Sequence, residues 1–213
     1  MSCRVAEIVD CRWTGTLNGP VGAERVERVA FDDIRSDVLS GCLSVSECVV
    51  GRVTGGGGAH PDVHQIFAPG WTGDRESFGV DLRGLSVGEA GHCNGQYLHW
   101  TVLGTGSSPG RLSARVTDCV FGDRPSGEVW SSRILVDCES LEWRGVRFGQ
   151  PLHLGMRRLD RGVFERCDFR KGIYAPDAAT RSLLDRCEWV DVTVGAVGGP
   201  GSYVPPGARV VLP

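Results

Sequence analysis

The chain has 213 residues, of which 41% are hydrophobic, 31 are glycine and 11 are proline, and its formal net charge is −3. That is one or two domains' worth of chain, with enough apolar side chain for a core and a composition suited to short strands and tight turns. The charge balance excludes an electrostatic drive toward nucleic acid or an anionic membrane surface, and no apolar run approaches the roughly 18–20 residues of a membrane-spanning helix.

The N-terminus, Met1-Ser2-Cys3-Arg4, is not followed by the apolar stretch of a signal peptide. The expected location is a virion if the chain is phage-encoded, and otherwise extracytoplasmic with the leader absent from this sequence. From Ile8 onward one pattern recurs: an apolar residue, two others, Cys, one other, then an apolar or aromatic residue. It reads Ile8-Val9-Asp10-Cys11-Arg12-Trp13, then Val45 to Val50 around Cys48, Val116 to Phe121 around Cys119, Phe164 to Phe169 around Cys167, and Leu184 to Trp189 around Cys187. Copies from Val29 to Ile34, Leu82 to Val87 and Trp143 to Phe148 put Asp32, Leu85 and Val146 in the Cys position.

The slots at 11, 32, 48, 85, 119, 146, 167 and 187 give a repeat near 20 residues with occasional longer intervals, which is the signature of a solenoid with variable loops. The segments are short, β-branched and aromatic, and Gly, Asp, Pro and Ser clusters separate them, so the units are strands rather than helices. The expected fold is all-β: a right-handed parallel β-helix of about eight to nine rungs over residues 1–195, followed by a Gly/Pro-rich cap or tail over 196–213. Slot residue and aromatic share one strand face, so the five cysteines are expected as a buried internal ladder. All nine are expected to be free thiols, because the number is odd and no Cys-x-x-Cys occurs.

Four of the five histidines lie mid-chain. Gly58 to Phe67 contains His60-Pro61-Asp62-Val63-His64-Gln65, and Gly91 to Trp100 contains Asn94-Gly95-Gln96-Tyr97-Leu98-His99-Trp100. Laid one over the other, His60 stacks on His92, Asp62 on Asn94, His64 on Gln96 and Gln65 on Tyr97. The first of these segments, with Gly95-Gln96 after it and then Asp118-Cys119 and Asp137-Cys138, resembles the pectate-lyase-like superfamily of right-handed β-helix proteins. The resemblance covers roughly residues 40 to 195. It implies the β-helix fold and association with polysaccharide. The position filled here by His64 is usually aliphatic in that superfamily.

Four readings of the cluster stand side by side. It is a polar ladder that pins the register, since buried polar groups must be paired. It is a sugar site combining carboxylate, amide and aromatic groups, with His60, Asp62, His64, Gln65, Asn94, Gln96, Tyr97, His99 and Trp100 as candidates and Trp71 nearby. It is catalytic, with Asp62 and Glu89 (or Asp81) as the paired carboxyls of a hydrolase. The resemblance adds Arg83 as the base of a lyase, although no acidic cluster has calcium-like spacing. It is a metal site of His60, Asp62 and His64, but one extended strand spreads them over about 13 Å, so no metal and no cofactor are expected.

The expected role is a structural or recognition β-helix, such as a phage tail, spike or capsid-associated component with polysaccharide as its ligand; the alternative is a polysaccharide-processing lyase, hydrolase or epimerase. The first rung has too little chain before it for a capping helix, so a homo-oligomer or a larger assembly is expected to cover residues 1 to 20. Neither nucleic acid nor membrane is expected as a partner.

Overall fold

The computed structural model describes residues 7–54, 61–68, 77–88, 96–102, 111–122, 132–195 and 198–212. The strands form one 15-stranded and one seven-stranded sheet. Among the described residues, every strand pairing is parallel except that of Ser202–Tyr203 with Ile173–Tyr174.

The large sheet is two ladders joined at their origin. Glu7–Thr14 and Arg25–Asp32 pair along their lengths. Ser44–Ser46 then pairs with the first half of Arg25–Asp32, and Val49–Val50 with the second half. The first ladder continues through Ser77–Arg83, Arg111–Thr117, Cys138–Arg144, Leu159–Glu165 and Glu188–Val190. The second continues through Ser86–Val87, Val120–Phe121, Arg147–Phe148, Asp168–Phe169, Thr193–Gly195 and Arg209–Val211. The seven-stranded sheet runs Leu39–Ser40, His64–Ala68, Leu98–Val102, Ser132–Leu135, Leu152–Leu154, Ile173–Tyr174 and Ser202–Tyr203. Each pass of the chain thus lays one strand on each of three ladders, and the next pass lies beside it.

The corner between the first two ladders has a constant construction. One residue takes the left-handed backbone: Asp10, Arg28, Glu47, Gly84, Asp118, Gly145, Arg166 and Asp191, with φ between 51° and 63°. That conformation is disfavoured for most side chains, and Asp and Gly adopt it most readily. From the second pass on, the residue after the corner enters the core. In stacking order these residues are Cys11, Val29, Cys48, Leu85, Cys119, Val146, Cys167 and Val192.

This order corrects two of the eight expected slots. The true positions are Val29 and Val192 in place of Asp32 and Cys187, because the left-handed residue, and not the aromatic that follows, sets the register. The cysteines therefore alternate with aliphatic residues and never stack on one another. Two passes separate them by about 9.6 Å between Cα atoms, beyond the reach of a disulfide. Cys48, Cys119 and Cys167 are buried, whereas Cys11 is exposed on the first pass and Cys187 is half-buried outside the slot. Each buried slot thiol also lies against two carbonyls. For Cys48 these are Ser46 at 3.2 Å and Val26 of the preceding pass at 3.7 Å; Cys119 and Cys167 repeat the arrangement. Burial pushes the Cys119 and Cys167 thiols up to about 11, so they stay protonated at neutral pH.

Inward columns of apolar side chains fill the interior. Val45, Leu82, Val116, Trp143 and Phe164 follow one another on the first ladder, and Phe31, Val50, Val87, Phe121, Phe148, Phe169 and Val194 on the second, all buried. Two features depart from the sequence reading. A short helix, Ala178–Leu184, interrupts the strands; Asp177 caps it by accepting from the Thr180 backbone N–H at 2.7 Å. The Gly/Pro-rich segment after 195 also adds strands to both sheets. Arg209–Val211 pairs with Thr193–Gly195, and Pro205 and Pro206 precede it.

Candidate functional site

The chain enters the strand His64–Ala68 through Pro61, Asp62 and Val63, and alternation then decides which side chains meet. His64 pairs with Leu98 and Gln65 with His99. The expected stacking of His64 on Gln96 and Gln65 on Tyr97 is therefore displaced by two residues, which keeps every side chain on its face while changing its neighbour. His64 and Ile66 point inward, and Gln65 points outward with His99.

Asp62 is the centre of the cluster and is fully buried. Its carboxylate accepts from the Gln96 backbone N–H at 3.0 Å, from Gln65 Nε2 at 3.0 Å and from His99 Nδ1 at 2.7 Å. Its own N–H donates to Asp37 Oδ1 at 2.9 Å. These bonds compensate the desolvation of the carboxylate. They also orient the imidazole of His99, whose side chain is 14% exposed.

His64 belongs to a second relay. The Trp100 indole N–H donates to His64 Nδ1 at 2.8 Å, and His64 Nε2 lies 2.8 Å from the Cys42 carbonyl. An indole nitrogen only donates and a carbonyl only accepts, so the ring is neutral and carries its proton on Nε2. Burial lowers the His64 pKa to about 4. Tyr97 makes a third set: its hydroxyl donates to the Gly122 carbonyl at 2.6 Å, and its backbone N–H to Gln150 Oε1 at 3.1 Å. Ser132 Oγ donates to the same Gln150 oxygen and accepts from the Leu98 N–H at 3.0 Å.

Asp62, His64, Gln96, Tyr97 and Trp100 are therefore interior side chains, and a surface ligand meets none of them directly. Gln65 lies on the outer face, though it is nearly buried, and His99 keeps access to solvent. His60, Trp71, Glu89 and Asn94 lie outside the described residues. Arg83 and Asp81 are on the strand Ser77–Arg83 of the large sheet, apart from Asp62 and His99. Arg83 faces Glu47 at 4.0 Å, with both side chains exposed. No group of three or more His, Cys, Asp or Glu able to hold a metal ion occurs among the described residues.

The sequence reading missed the continuation of the outer row. Gln65 and His99 lead in register to Arg133, His153 and Tyr174, one per pass. The His153 and Tyr174 rings are stacked, with centroids 4.8 Å apart and planes 22° from parallel. The signal was the slot itself: each of these residues sits between two inward residues of its strand, one repeat from the next. No protein-family model matches the chain, and no curated protein or solved structure is detectably similar to it.

Proposed function

We propose that the chain is a right-handed parallel β-helix serving as a structural recognition element that holds an extended polysaccharide along its outer surface. Three parallel ladders, each extended by one strand per pass, support the β-helix reading, and parallel crossover connections are right-handed in about 98% of cases. The observation that carries the recognition reading is the outer row Gln65, His99, Arg133, His153 and Tyr174. Four strand spacings make it about 19 Å long. It sets amide, imidazole and guanidinium donors beside an aromatic platform, the combination that sugar hydroxyls and ring faces require.

A phage tail, spike or capsid-associated component is the setting we favour, with a second copy or a larger assembly over residues 1 to 20. The first pass supports this: Leu17 and Val21 are 67% and 58% exposed, and Cys11 stands open in a slot that is buried elsewhere. Light scattering on the isolated chain is expected to find an oligomer, and a stable monomer across a wide concentration range would remove this part of the reading.

A glycan array tests the recognition role. Binding to an extended polysaccharide is expected, with loss in Arg133→Ala/Tyr174→Ala; undiminished binding by that variant refutes the row as the site. A second reading, a polysaccharide-processing enzyme, is favoured by the contact of His99 with a buried carboxylate, which leaves Nε2 as a candidate base. Product release from a polysaccharide, abolished by His99→Ala, would select it.

A further inference from the structure

Leu159–Glu165 is flanked by Cys138–Arg144 from Leu159 to Glu165 on one side, but on the other Glu188–Val190 pairs only with Val163, Phe164 and Glu165. The chain reaches that last strand through the helix Ala178–Leu184, so the edge of Leu159 to Gly162 has no strand beside it. Between this edge and the end of the helix lies a cavity of about 540 Å³. Arg157, Arg158 and Arg161 line it from the strand side, and Arg186 lines it from the turn after the helix. The carboxylates on its wall are Asp160 and Glu188, and Glu142 pairs with Arg161 from outside it, which leaves an excess of one positive charge.

Two of the four guanidinium groups are committed. Arg158 binds Asp160 through Nε and Nη2 at 2.8 and 3.0 Å, and Arg161 reaches Glu142 at 3.3 Å. Arg157 and Arg186 have no carboxylate within ion-pair distance among the described residues. The base of Arg157 is fixed, since its backbone N–H donates to Asp137 Oδ1 at 2.8 Å. The Cys187 side chain packs against bare Gly162, where a Cβ would lie 2.2 Å from the sulfur. The turn that carries Arg186 is therefore seated closely on the strand.

We propose that this cavity binds an oxyanion, the carboxylate or sulfate ester of an acidic glycan. Arg157 and Arg186, neither of them ion-paired among the described residues, line one concavity from segments distant in sequence. Their planar forks match the paired oxygens of such groups, and both lie on the wall that such an anion would occupy. The inference rests on the polysaccharide reading for the source of the oxyanion, and not for the site itself.

Calorimetry at low salt with inorganic sulfate, a galacturonate oligomer and a sulfated oligosaccharide tests it, on the wild-type chain and on Arg157→Gln/Arg186→Gln. Both side chains are exposed, and an unchanged thermal melt will show that the variant folds. The expected result is binding of at least one acidic oligosaccharide, weakened tenfold or more in the variant and weakened by added salt. Sulfate binding that depends on the two arginines, with neither oligosaccharide bound, supports the oxyanion site while removing the glycan as its source. Absence of binding by all three, or binding that the variant retains, overturns the proposal.

Discussion

His64 is buried as a neutral imidazole, so the fold is expected to lose stability in acid well before most carboxylates titrate. The unfolded chain takes up a proton there near pH 6.5, while the folded chain does so only near pH 4. Between those values the unfolded state binds more protons, so stability rises with pH. The contribution is complete above pH 6.5 and is lost as pH falls toward 4. A difference of that size corresponds to about 3 kcal/mol. Protonation at Nδ1 also ends the bond from the Trp100 indole and sets two donors against each other. Urea unfolding at pH 7 and pH 4 measures the loss. The control is His64→Phe, which costs stability at pH 7 by stranding the Cys42 carbonyl and the Trp100 N–H but removes the titrating group. His153, whose pKa burial also lowers, contributes equally to both proteins and cancels. The wild-type chain should lose about 3 kcal/mol more than the variant between the two pH values. Equal losses refute the neutral buried imidazole.

Asp62→Ala should destabilise by about 3 kcal/mol, because two buried donors and the partly exposed His99 lose their acceptor, at about 1–3 kcal/mol for each buried one; a urea midpoint near that of wild type would contradict the network. Cys167→Val should cost less than about 1.5 kcal/mol, since Val29, Val146 and Val192 fill equivalent slots, and a loss above 3 kcal/mol by chemical denaturation would show that the thiol–carbonyl contacts matter more than packing. Mild oxidation followed by non-reducing mass spectrometry should find no disulfide among Cys48, Cys119 and Cys167; any such bridge would break the alternating order. Gly162→Ala should destabilise by about 1–3 kcal/mol through the Cys187 sulfur, and adding Cys187→Ala should recover most of the loss. Simple additivity in that cycle would mean the two residues do not touch.

The parallel strand repeat was legible because it rests on a periodicity of apolar residues that the core enforces on nearly every pass. The register was legible only in part. Asp32 and Cys187 satisfied the same local pattern as the true slots, and what excludes them is a backbone angle at Arg28 and at Asp191, neither of which is a glycine. The helix Ala178–Leu184 was hidden because seven residues are too few for a clear 3.6 period; its cap, Asp177, was the available sign. In the site, the sequence brought His64 and Trp100 into one segment pair but did not decide which face of the strand points inward. His64 and Trp100 look like ligand groups by composition, yet each is the other's hydrogen-bond partner in the interior. Arg133, His153 and Tyr174 escaped notice because a row across passes is continuous in space and scattered in sequence.

The alternation of cysteine with valine or leucine at the corner makes the copying unit of this chain a pair of passes. Deleting a pass that carries an aliphatic slot, or duplicating one that carries a thiol, would place two thiols on neighbouring strands about 4.8 Å apart, within the Cα range of a disulfide. Deleting or duplicating two passes leaves the order intact. A chain of this kind can therefore change its length by pairs while keeping its thiols two strands apart, whereas an odd change that brings two thiols together would open them to oxidation.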